Sequence, residues 1–110
     1  MIAVADEVER RVSDPLAELA SCRTHIEEID LKLVALLAER MALGQQTAGL
    51  KRAAGLKRAA GLPILDPRRE AEVIRRAVVA ARAKDLPTEP VRQIFWHIVG
   101  LSRRAQEETA

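Results

Sequence analysis

The chain has 110 residues, 48% apolar and 31% charged, which suits one folded domain and excludes a disordered polypeptide. Eighteen cations face sixteen anions, and the only aromatics are one Phe and one Trp, so no basic surface interleaved with base-stacking rings exists for nucleic acid. A single cysteine, Cys22, and two histidines exclude an internal disulfide and make a poor metal set, and no apolar run is long enough to span a membrane.

Residues 1–13 open with MIAVADEVERR, which puts acids where a signal peptide carries a basic and then an apolar segment. They are expected to form a flexible or weakly helical leader, with a helical domain over 14–110 and the cytoplasm as location. The core must come from Leu, Ile, Val and Ala, and no strand pattern occurs, so the fold class is all-α.

Asp14-Pro15 predicts the start of the first helix, with Ser13 or Asp14 as cap and proline at the first helical position. Leu19, Cys22, Ile26, Ile29, Leu33, Leu36, Leu43 and Leu50 then recur at steps that alternate mostly between three and four. This is a coiled-coil-like seam. A helix continuing to residue 60 would be roughly 65 Å long, against a radius of gyration of about 13 Å for a compact chain of this size. A partner chain is therefore the natural candidate to cover the seam.

Asp66-Pro67 opens the second helix by the same logic, with Val73, Ile74, Ala77, Val78 and Ala81 as its buried stripe and Leu86-Pro87 as its end. Thr88 is expected to cap the third helix, with Glu89 in its positive first turn. Val91, Ile94, Phe95, Ile98 and Val99 form that helix's stripe.

Each helix then places polar groups on an otherwise apolar face: Arg40, Lys51, Glu70, Ser102 and Gln106. Eleven residues separate Arg40 from Lys51, which brings the two within about 20° of one face, three turns apart. Arg40 has no carboxylate one turn away on its own helix. Buried charge is costly unless paired, so the simplest structural account pairs Arg40 with Glu70 or lets it reach solvent along its stem. The set as a whole leaves two cations facing one carboxylate, a pocket for a small anion. It holds no nucleophile–base pair and no metal ligands, so it suits binding and polarising, with no cofactor. Arg23 lies seventeen residues before Arg40, about 100° away around the helix. It is either a solvated arginine or, in a symmetric dimer, a residue for the partner's pocket.

These residues resemble the all-helical, AroQ-type chorismate mutases. The likeness runs along CRTHIEEIDLKLVALLAERMALGQQTAGLK, resumes in DPRREAEV and again in IFWHIVGLSRRAQ, and covers roughly residues 15–110. It implies an intertwined homodimer that rearranges chorismate to prephenate, on the branch towards phenylalanine and tyrosine. By matching position it implies that Arg23 binds a substrate carboxylate in the partner's pocket and Arg40 binds the other. It assigns Lys51 and Gln106 to the ether oxygen and Glu70 to the substrate hydroxyl. Asp66 and Arg69 stand near Glu70, and Ser102 assists at a carboxylate.

One stretch departs from that pattern. GLKRAA occurs twice in tandem, at 49–54 and 55–60. Lys51 keeps the expected spacing to Arg40, Lys57 the expected spacing to Asp66, and the discrepancy is one copy. The second copy is thus read as an insertion, with Lys51 as the working lysine. It either lengthens the first helix by about 9 Å with a twist of about 120° or enlarges the following loop. A lengthened helix could carry Asp66, Arg69 and Glu70 to a neighbouring chain and change the oligomer. Three other functions compete: an isochorismate-pyruvate lyase, a non-enzymatic helical dimerisation module, and nucleic-acid binding through Lys51-Arg52, Lys57-Arg58 and Arg68-Arg69. Asp66 and Glu70 favour the mutase over the lyase.

Overall fold

A computed structural model describes residues 14–55 and 66–109, in which three helices and no strand occur. They are α1 (Pro15–Ala53), α2 (Pro67–Ala83) and α3 (Thr88–Thr109). The leader and the second GLKRAA copy beyond Gly55, with Lys57, lie outside the described residues.

The helix starts follow from local chemistry. Asp14 Oδ1 accepts a hydrogen bond from the Ala17 amide at 3.1 Å, which satisfies one of the donors left over in the first turn of α1. Asp66 does the same for α2, accepting from the Arg68 and Arg69 amides at 3.1 and 3.2 Å. In both cases proline occupies the next position, where its missing N–H removes no helical bond. Helix α3 begins one residue earlier than expected, with Thr88 already helical.

The helix ends are equally local. Helix α1 stops at Ala53, short of the residue 60 reached by extrapolating its seam, because Gly55 takes a left-handed backbone with φ of 69°. Helix α2 closes with Leu86 N–H bonded to Ala81 C=O and Asp85 N–H to Arg82 C=O. This is a Schellman closure with Asp85, at φ of 56°, in the position where glycine is usual.

The chain divides into two units, one through Leu36 and one from Leu37 onward. In the first, every described residue is exposed, including the seam residues Leu19, Ile26, Ile29, Leu33 and Leu36. In the second, α2 buries Ile74, Ala77, Val78 and Ala81, with Val73 half-buried, as the stripe predicts. Helix α3 contributes Val99, Ser102 and Ala105, with Val91, Phe95 and Ile98 half-buried. Ile94 departs from expectation and is 56% exposed.

The face that α1 uses in this second unit is not the leucine seam. Leu43 and Leu50 are exposed, while Leu37, Arg40, Met41, Gly44, Ala48 and Lys51 are buried or half-buried. Their spacing of three, four and seven residues marks a second stripe, narrow and built around small side chains. Ala48 is its most buried member at 1% exposure.

Candidate functional site

The second stripe of α1 carries the polar residues to one place. A cavity of about 520 Å³ is lined by Arg40, Leu43, Gly44, Thr47 and Lys51 from α1. Asp66, Arg69, Glu70 and Val73 line it from the start of α2, and Val99, Ser102, Arg103 and Gln106 from α3. The expected set Arg40, Lys51, Asp66, Arg69, Glu70, Ser102 and Gln106 is thus brought together. Arg23 belongs to the first unit, where it is exposed.

Each side chain is held for a local reason. Arg40 Nη1 donates to Ser102 Oγ at 2.5 Å, so the guanidinium is anchored on a buried hydroxyl. The Arg40–Glu70 pair, one alternative of the simplest structural account, does not form. Glu70 is instead gripped by Arg103, whose Nε donates to Oε2 at 3.0 Å while Nη2 donates to Oε1. Such a two-pronged fork fixes a carboxylate's plane as well as its position. Arg103 was missing from the expected set. The signal was present, since Val99, Ser102, Arg103 and Gln106 follow one another at helical spacing.

Lys51 sits in the last turn of α1, where the helix dipole favours a cation. Gln106 approaches the α1 backbone at Gly44, since a Cβ built there would lie 3.5 Å from Gln106 Nε2. Asp66 is committed through Oδ1 to the α2 amides, and Arg69 lies at the rim with Nη1 3.4 Å from Glu72. Its contact with Glu72 is half-solvated and contributes little.

Counting formal charges around the cavity, Arg40, Lys51, Arg69 and Arg103 give +4 and Asp66 and Glu70 give −2, for a balance of +2. That balance suits a small dianion. Among the described residues no group of His, Cys, Asp and Glu could hold a metal ion. A second cavity, of about 480 Å³, is lined by Ala71, Ile74, Glu89, Arg92, Gln93, Trp96 and His97. Its arginine and carboxylate pair with each other at 3.2 Å on one helix, so it offers no comparable convergence of positive charge.

An all-helical chain with one long helix, two shorter ones and a cationic cavity between them defines the class to which comparison can be made. The sequence model of chorismate mutase type II matches residues 22–107, and the chain belongs to that family. The comparisons with curated proteins and with solved structures gave no significant match. The family match supports activity of the chorismate mutase type and, with it, binding of chorismate. No described helix is long and apolar enough to cross a membrane.

Proposed function

We propose that the protein is a chorismate mutase that converts chorismate to prephenate by holding and polarising its substrate. The observation that carries this reading is the convergence of Arg40, Lys51, Glu70, Ser102 and Gln106 on one cavity with a formal balance of +2. The reaction is an intramolecular rearrangement. A carbon–oxygen bond of the enolpyruvyl ether breaks as a carbon–carbon bond forms, and no atom or proton is exchanged with the enzyme. What the protein must supply is a compact substrate conformer and stabilisation of the negative charge that grows on the ether oxygen.

In this reading Arg40, steadied by Ser102, clamps one carboxylate. Lys51 and Gln106 donate to the ether oxygen, and Glu70 accepts from the ring hydroxyl. Asp66 and Arg69 shape the wall on the Glu70 side. Arg23 reaches the pocket of a second chain and clamps the other carboxylate, so the working unit is a homodimer. The exposed leucine seam of α1 supports that last point, because a wide unpartnered apolar face is costly in water.

The test is disappearance of chorismate absorbance on adding purified protein, with isochorismate assayed in parallel. Conversion of chorismate to prephenate is expected. Release of pyruvate from isochorismate, with chorismate untouched, would assign the lyase reaction instead. Turnover of neither substrate by a correctly folded protein overturns the enzymatic reading.

A further inference from the structure

The Glu70–Arg103 fork has a consequence for how the cavity accepts a dianion. A carboxylate in an anion-binding pocket is a contradiction unless its charge is offset. Glu70 is only 18% exposed in its side chain and Arg103 37%, so water screens the pair incompletely. The groups that share this cavity with Glu70 are Arg40 and Lys51 on α1, Asp66 and Arg69 on α2 and Arg103 on α3. Arg40 is bonded to Ser102, Arg69 is drawn outward to Glu72, and Asp66 is itself acidic. Arg103 is the cation hydrogen-bonded to the Glu70 carboxylate.

We infer that Arg103 is a positioning residue: it neutralises and orients Glu70, so that this carboxylate accepts a hydroxyl from the substrate without repelling the substrate's own carboxylates. The inference rests on the mutase reading above. The fork occupies both oxygens of Glu70 in one plane, yet a carboxylate has about four lone-pair sites, so room remains for a further donor. Removing Arg103 while keeping Glu70 lowers the formal balance of the cavity from +2 to +1 and leaves a bare carboxylate facing a dianion. Removing the charge of Glu70 as well restores +2, and glutamine still offers a carbonyl oxygen to the hydroxyl.

A purely structural salt bridge between α2 and α3 makes a different prediction, because then the second substitution cannot improve substrate binding. The experiment is steady-state kinetics with chorismate on the full chain and on Arg103→Met, Arg103→Lys, Glu70→Gln and the double variant R103M/E70Q, with thermal melting of each. Arg103→Met is expected to raise KM about tenfold or more, roughly the effect of one incompletely screened charge. The double variant is expected to bring KM back to within a few-fold of wild type while kcat stays reduced. Arg103→Lys, which keeps the charge without the fork, should hold KM near wild type and lower kcat. A double variant with KM no better than that of Arg103→Met overturns the inference, as does an Arg103→Met variant with wild-type KM. If Arg103→Met does not fold, Arg103→Lys against Glu70→Gln still decides: equal kcat and KM with wild type in the lysine variant sinks the orienting role. An inactive wild-type protein would instead count against the mutase reading itself, so the two failures are distinguishable.

Discussion

Helix α1 shows two unlike faces. One is the leucine seam, exposed from Leu19 to Leu50 in the single chain. The other is the stripe Leu37, Arg40, Met41, Gly44, Ala48 and Lys51, buried or half-buried, of which Arg40, Gly44 and Lys51 line the cavity together with the seam's Leu43. The first face has large side chains and nothing polar to aim. The second sets small Gly44 and Ala48 between two long cations, Arg40 and Lys51, that line the cavity. The difference teaches that the richer apolar pattern need not mark the face used inside the chain. Large apolar side chains left bare are better read as a surface for another molecule.

The comparison can be broken most severely at Arg40. Arg40→Ala removes a clamp and leaves Ser102 without that donor. It is expected to lower kcat/KM for chorismate by about 10²–10³-fold, the range found for loss of a preorganised donor. Its melting temperature should fall only modestly, because alanine gives up the hydrogen bond to buried Ser102 but no large apolar contact. Near-normal turnover by this variant would falsify the assignment of the packed face as the catalytic one.

A strike at the other face should act through assembly. Ile29→Glu combined with Leu33→Glu places charges on the exposed seam, at two residues that do not line the cavity. Sedimentation should then report a lighter species, with turnover reduced at least about tenfold if a second chain completes the pocket. Unchanged mass together with unchanged turnover would mean that the seam has no partner and that Arg23 plays no part.

Smaller effects sharpen the contrast by touching neither face. A Cβ at Gly49 meets nothing within 4 Å, so Gly49→Ala adds a methyl group to open space inside a helix. It should stabilise the fold by about 0.5–1 kcal/mol with activity retained, read as a rise in melting temperature. Deletion of residues 55–60 shortens the connection between α1 and α2 by one copy of the repeat. It should leave mass and turnover unchanged and stabilise by about 0.6 kcal/mol through loop closure, since the connection is roughly halved. A change in oligomeric mass on deletion would instead support the view that the second copy redirects α2 to another chain.

Much of the fold was legible because its signals are short-range. Asp14-Pro15 and Asp66-Pro67 each combine a cap and a proline, and both starts fall where the sequence puts them. The α2 stripe was legible for the same reason, with four strongly buried positions at one spacing. The packed face of α1 was harder to see because Gly44 and Ala48 add little to an apolar pattern. Of the site, the polar residues on apolar faces were readable, and the cavity collects them. Their pairing was not, because which carboxylate meets which guanidinium depends on how α2 and α3 pack. Arg40 turned to Ser102, and Glu70 to an arginine one position further along α3.

The left-handed glycine that ends α1 has a genetic consequence. The repeat unit GLKRAA begins with glycine, so whatever number of copies follows the first, the residue after Ala54 is a glycine: Gly55 here, and Gly61 if one copy is lost. Glycine alone does not stop the helix, since Gly49, which opens the first copy, lies inside α1; what recurs is a residue able to take the left-handed backbone. Replication slippage in such a tandem tract can therefore change the copy number while Lys51 stays eleven residues from Arg40 and a glycine still follows Ala54.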